Sequence, residues 1–401
     1  MIPFSLEMPR AVHFGAGVLS KLPEVVHELC ASERGAGERG DGELGGADRR
    51  PRVLLLCGHR WLRGSPWSAS ITTSLSGGAV QVLGCPPGEP AVRSVDECAR
   101  AAADFRPDVI VAVGGGSVLD TAKALSALVR YPGSSERFLE GFAGSMPVPG
   151  PCLPWVAVPT TSGTGAEATK NSVIKAEAAG VKRSMRSRHL LAHTVLVDPE
   201  LTRSLPAAVT GTSGLDALTQ LVESYVSKAS TPPVRSLVRG AFAGMWEALE
   251  GLAAAPADIA LREKASYGSF ISGVALANAG LGAAHGFAAS VGGAYDVPHG
   301  LACAVFLPHV LQANRDVIQE RIAELVSASP ALAAAKDPVS DLGAGVTRLL
   351  RAYGLPSDLR QFSIPAEKAG ELAEKSSGSS MRGNPRELSL EERASILLRV
   401  I

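Results

Sequence analysis

At 401 residues the chain is long enough for two domains. Its 39 acidic and 39 basic residues balance, and only 5% of residues are aromatic, which excludes a nucleic-acid binder working through bulk charge and base stacking. No apolar run reaches the roughly 18 residues of a membrane span, Met1-Ile-Pro-Phe-Ser-Leu-Glu7 has no signal-peptide character, and six scattered cysteines without a C-x-x-C pair predict a reduced, cytoplasmic protein.

In chain order, Ala31 to Arg50 is glycine-rich and charged with almost nothing to bury, which predicts a disordered surface insertion. Val53 to Cys57 and Ala79 to Leu83 read as strands, and Ser94 to Phe105 as a helix with Ser94 at its N-cap. Val109 to Val113 has the length and β-branched content of a buried parallel strand. It ends in Gly114, Gly115, Gly116 and Ser117 and passes directly into a helical pattern. Glycines let backbone amides approach a ligand, and the helix turns its positive end to the same spot, so this turn would seat a pyrophosphate. The pattern is not G-x-G-x-x-G, and a tight connection without a ligand would use the same residues. Trp155 to Val158 is a further strand, ending in Pro159-Thr-Thr-Ser-Gly-Thr-Gly165.

Strands alternating with helices predict an α/β, Rossmann-like domain with a mostly parallel sheet, and its ligands belong beyond the carboxyl ends of the strands. From about residue 211 the periods become long and helical. The boundary is expected near Pro206, with residues 1–206 as the dinucleotide-binding domain and 207–401 as an all-α domain for metal and substrate. There, Ser213 to Tyr225 reads as a helix with Ser213 as its N-cap, and Asp216 and Gln220, four apart, share one face. His285 lies in a small-residue helical stretch, and His299 follows Pro298 at the head of an apolar run. Two histidines and an acidic helix face suit zinc or iron. A solvated acid and a satisfied core histidine would leave the same pattern, and the spacing is not H-E-x-x-H.

Gly114-Gly-Gly-Ser-Val-Leu-Asp-Thr-Ala-Lys123 closely resembles the signature of the iron-activated, group III alcohol dehydrogenase family. Pro159 to Glu167, Val197 to Thr202, Gly214 to Thr219 and Val297 to Leu301 resemble its other landmarks, in its order. The resemblance runs from Pro9 to Arg386, with only 31–50 apart. It implies a dinucleotide-binding domain, an all-helical domain and an active site in the cleft between them. It also implies a metal held by an aspartate, a histidine four residues later and two more histidines. Asp216, His285 and His299 match three positions, while Gln220 stands where the remaining histidine is usual. An amide oxygen is the weaker donor. Ala289 replaces another histidine common near the substrate, so the proton is expected to travel through water.

An acid near a strand end favours the ribose hydroxyl of NAD. After Val53 to Cys57 come Gly58, His59 and Arg60, with no acid, and Arg60 or His59 would meet a 2′-phosphate. NADP(H) is therefore expected ahead of NAD(H). Gly114 to Ser117 would hold the pyrophosphate, Thr160, Thr161 and Thr164 would line the nicotinamide side, and Asp120 and Lys123 would contact the cofactor. The expected reaction is reversible hydride transfer between nicotinamide and a small aldehyde or primary alcohol, assisted by Fe²⁺ or Zn²⁺. Lys170 and Arg186 would favour an anionic aldehyde such as phosphonoacetaldehyde or succinic semialdehyde if they face the cleft, and are solvated surface charges if they do not. A metal-free reductase like maleylacetate reductase, a lyase like dehydroquinate synthase, and a non-enzymatic nucleotide-binding module are the rival readings. The expected partners are the small substrate and a second copy of the chain, with no nucleic acid and no membrane.

Overall fold

The computed structural model describes residues 3–37, 50–58 and 64–401. The apolar runs form a six-stranded, wholly parallel sheet: β1 (Ala11–Phe14), β2 (Arg52–Gly58), β3 (Ala79–Cys85), β4 (Val109–Gly114), β5 (Trp155–Pro159) and, last in the chain, a strand at Thr194–Val197. Its spatial order is β1, Thr194–Val197, β5, β4, β2, β3. Among the described residues, α1 (Leu22–Gly37), α2 (Trp67–Ser74), α3 (Val92–Phe105) and α4 (Gly116–Arg130) belong to this unit. β4 is buried at every residue, as a central strand covered on both faces must be. Asn171–Ala176 and Val181–Arg186 pair as an antiparallel hairpin that the sequence reading did not anticipate.

The strand order fixes where a ligand belongs. From β2 the chain winds outward to β3, then returns to place β4 on the other side of β2, so the winding reverses between β2 and β4. Ligands of open parallel sheets occupy this switch point, beyond the carboxyl ends. Gly58 ends one of these strands and Gly114 the other.

Two local expectations are corrected. Helix α1 continues to Gly37, so residues 31–37 are helical rather than structureless, in keeping with Ala31, Glu33 and Arg34 as good helix formers. The rest of that segment, 38–49, lies outside the described residues. Helix α3 starts two residues before Ser94, whose hydroxyl accepts from the Ala91 amide at 3.2 Å from inside the first turn.

The chain divides into Met8–Thr160 with Ala166–Leu201, which carries the sheet, and a second unit of the N-terminal residues to Glu7, Thr161–Gly165 and Thr202–Ile401. The second unit is helical: α5 (Ala207–Val226), α6 (Pro232–Leu252), α7 (Ile259–Ala279), α8 (Ala283–Tyr295), α9 (His299–Ala313), α10 (Arg315–Val326), α11 (Pro338–Ala352) and shorter helices beyond. Helix α5 is buried on all sides from Gly214 to Val226 and packs against α6, α7 and α9. It begins after Pro206, not at Ser213, whose hydroxyl instead donates to the Val209 carbonyl at 2.7 Å, as a mid-helix serine does. No single helix among the described residues is long and apolar enough to cross a membrane.

Candidate metal centre and nucleotide turn

Helix α5 carries three polar residues on its buried face, at i, i+4 and i+7: Asp216, Gln220 and Glu223. Each is at most 3% exposed, so each needs a partner. The solvated-acid reading of Asp216 therefore fails. Two further helices start against this face. Helix α9 starts at His299, and the next residue allows the approach. A Cβ on Gly300 would lie 2.2 Å from the Thr212 carbonyl oxygen and 3.1 Å from the Asp216 Cβ, so only glycine admits this packing. Helix α8 starts after Gly282, where a Cβ would meet the Glu223 carboxylate at 2.7 Å.

The consequence is a convergence of donors. His285 Nε2 lies 3.2 Å and His299 Nε2 3.9 Å from Asp216 Oδ1. Cys303, one turn after His299 on α9, places Sγ 3.6 Å from His299 Nε2. The ligand atoms of Asp216, His285, His299 and Cys303 all lie within 4.8 Å of one another. A tetrahedral ion with bonds of 2.0–2.3 Å has donor–donor edges of about 3.3–3.8 Å, so this set fits a first-row divalent metal with little movement. The charges fit too. Burial alone would raise the Asp216 carboxyl, but His285 and His299 hold it below the usual carboxylate range. The Cys303 sulfur and Asp216 lift His299 to about 9 against burial. Burial also opposes charge on His285, and Cys303, Asp216 and Glu223 override it. The cluster is thus built to hold positive charge.

His285 is oriented from behind. Its Nδ1 donates to Glu223 Oε2 at 2.7 Å, while the amides of Gly282 and Ala284 donate to the same carboxylate at 2.9 and 2.7 Å. A carboxylate thus caps the N-terminus of α8 and fixes the ring. Gln220, expected among the ligands, is engaged otherwise. Its Oε1 accepts from Ser272 Oγ at 2.9 Å, and its Nε2 faces Asp216 Oδ2 at 3.4 Å. The amide presents its nitrogen to the cluster, and nitrogen of an amide is a donor of protons, not of electron pairs. Cys303 and Glu223 were missed by the sequence reading. The i, i+4 spacing of His299 and Cys303 was the available signal for the first.

In the sheet unit, the first backbone bonds of α4 run from Val118 and Leu119 to the Gly115 carbonyl, and the partly exposed Gly116 and Ser117 precede them at the open end of the helix. Gly114 serves packing: a Cβ there would lie 2.5 Å from Val118 Cγ2. The Thr160 amide donates to the Gly114 carbonyl, whereas Thr161 and Thr164 belong to the segment grouped with the helical unit. His59 and Arg60 lie outside the described residues. Lys123 is fully buried and donates to Thr169 Oγ1, the Asn171 carbonyl and Asp120 Oδ1 at 2.6, 2.8 and 3.0 Å. Its three protons are used within the protein, and Asp120 Oδ2 also accepts from the Val173 amide. These two residues fasten α4 to the hairpin. Arg186 pairs with Glu140 at 3.0 Å on a half-exposed surface, and Lys170 also has a partner.

Close by, burial raises the Glu167 carboxyl to about 7, with Lys123 offsetting part of the rise. Its folded value lies above its unfolded one, so the stabilisation is full below about 4.5 and is lost as pH rises through 7. Glu167→Gln should remove this loss, and the variant should gain up to roughly 3 kcal/mol on wild type between pH 5 and 8. Tm measured at both pH values tests it; an equal Tm difference at the two would contradict the burial argument.

Residues 9–199 match the family model described as iron-containing alcohol dehydrogenase, and residues 210–401 match that of the C-terminal part of the Fe-containing alcohol dehydrogenase family. The probable alcohol dehydrogenase EutG of Escherichia coli (strain K12) is 35% identical over 342 residues, 84% of this chain and 85% of the relative. The 1,3-propanediol dehydrogenase of Klebsiella pneumoniae is 35% identical over 270 residues, 67% of this chain and 69% of the relative. The crystal structure of a 1,3-propanediol oxidoreductase superposes with a TM-score of 0.88 at 27% identity, covering 99% of this chain and 100% of the other.

Proposed function

Because this chain belongs to the iron-containing alcohol dehydrogenase family, we propose that it interconverts a small aldehyde and its primary alcohol with a nicotinamide dinucleotide and a divalent metal. The observation that carries this reading is the meeting of Asp216, His285 and His299 in a chain matched to the family over both halves. When bound, the ion supplies Lewis acidity toward the carbonyl oxygen and the dinucleotide supplies the hydride. Asp216, His285 and His299 would hold the ion, with Glu223 keeping His285 Nε2 turned toward it. The Gly116 and Ser117 amides at the open end of α4 would take the pyrophosphate. The proton reaches the product oxygen through water, since Gln220 and Ala289 offer no imidazole.

With Arg186 spent on Glu140, an uncharged substrate is favoured over a phosphonate or carboxylate. The propanediol named for the Klebsiella relative is the first alcohol to assay. The test is nicotinamide absorbance with small aldehydes, before and after chelation and on return of ferrous or zinc ion. Turnover unaffected by chelation would favour a metal-free reductase, for which no reason exists to keep the donor cluster.

NADPH is the proposed cofactor, on the absence of an acid at Gly58. A Cβ at Gly58 would meet only Val118 Cγ2, at an ordinary 3.9 Å, so Gly58→Asp should fold normally. Its carboxylate would repel a 2′-phosphate and accept from a 2′-hydroxyl. The kcat/KM ratio should move at least about tenfold toward NADH, equal to about 1.4 kcal/mol. Wild type that already prefers NADH would defeat this reading.

A further inference from the structure

We propose that the thiolate of Cys303, and not the amide of Gln220, is the fourth protein donor to the metal, which makes this a carboxylate, two-imidazole, thiolate site. The inference rests on the metal-dependent reading above and deepens it. Cys303 is fully buried, one helical turn from His299, with Sγ inside the same 4.8 Å cluster as Asp216 and both imidazoles. Gln220 turns its oxygen away from the cluster: Oε1 lies 2.9 Å from Ser272 Oγ, and Nε2 faces Asp216 Oδ2 at 3.4 Å. With histidine absent at 220, the Cys303 sulfur is the fourth member of the donor cluster found among the described residues. Binding M²⁺ there releases the thiol proton to solvent and forms the M–S bond, with no redox change.

Two consequences follow from charge and softness. Asp216 and a thiolate together neutralise a divalent ion, whereas one carboxylate and three imidazoles leave it a net positive charge. A soft sulfur donor also shifts preference toward zinc relative to an all-nitrogen-and-oxygen set. His299 keeps 39% of its side chain exposed, whereas Asp216, His285 and Cys303 are buried.

Cobalt(II) is the probe, because a thiolate bound to it gives an intense near-ultraviolet charge-transfer band that oxygen and nitrogen donors do not. Metal-stripped full-length protein is titrated anaerobically with Co²⁺, and uptake is measured independently by metal analysis. Wild type should show the band at one ion per chain. Cys303→Ser should bind Co²⁺ without the band and hold zinc about 10-fold or more weakly. Gln220→Ala should keep the band and its zinc affinity within about threefold. Bound cobalt without the band in wild type, or a band that survives in Cys303→Ser, would overturn the thiolate donor and leave the metal site standing. Wild type that takes up no cobalt or zinc would overturn both this inference and the metal-dependent reading. The wild-type spectrum decides the first point even if a variant folds poorly.

Discussion

Asp216→Asn is expected to abolish metal retention and to lower kcat/KM for aldehyde reduction by about a thousandfold. Asp216 Oδ1 is the atom both imidazoles approach, at 3.2 and 3.9 Å, and the side chain is buried among them. Asparagine keeps the shape but removes the charge that offsets the ion, and its nitrogen offers no electron pair. Removing one partner of a buried charge cluster costs stability where the remaining charge is left uncompensated, so Tm is measured beside activity. Thermal stability near wild type with metal and turnover lost would therefore separate the effect from misfolding. Metal analysis after gel filtration and steady-state kinetics provide the readout. A variant that keeps both its ion and its turnover would move the chemistry away from this cluster.

Four of the six strands, β2 to β5, were legible as short apolar runs, whereas β1 and Thr194–Val197, four residues each, were not read as strands. The Asn171–Ala176 and Val181–Arg186 hairpin was not legible either, since its strands carry Lys175, Lys182, Arg183 and Arg186 and read as surface. The cluster was legible as residue types on likely helices, with Asp216, His285 and His299 brought together as expected. What failed was assigning partners. Gln220 sits at the right spacing, yet its orientation is decided by Ser272, 52 positions away on α7. Lys123 was expected at the cofactor because it follows the glycine turn; Thr169 and Asn171, to which it donates, lie on a loop and hairpin that local pattern does not place. Cys303 was counted among scattered cysteines, although one turn of helix separates it from His299. Both helix starts were misplaced toward serine, because a serine inside the first turns satisfies itself on a preceding carbonyl or amide as readily as it caps.

Glu223→Gln is expected to weaken zinc binding about 10- to 100-fold although Glu223 is outside the donor cluster. Its carboxylate accepts from His285 Nδ1 and from the Gly282 and Ala284 amides, and a carboxylate can only accept. That forces the Nδ1 proton and leaves Nε2, the atom facing Asp216, to supply the electron pair. Glutamine has one oxygen and one NH₂ for these donors and for the His285 amide, which also reaches the carboxylate at 3.4 Å. If its oxygen serves the α8 amides, its NH₂ meets Nδ1 and drives the imidazole proton to Nε2, which blocks the metal. If its oxygen serves Nδ1, backbone donors at the head of a buried helix lose their acceptor and the negative charge at the positive end of the helix is gone, at a cost of about 1–3 kcal/mol. The two routes are separable. Nitrogen NMR of His285 in the zinc-saturated variant shows which ring atom binds the ion and which carries the proton, and Tm shows the helix cost. Unchanged zinc affinity with an unchanged tautomer would mean that His285 is oriented by packing alone, and that the Glu223 carboxylate serves only to cap α8.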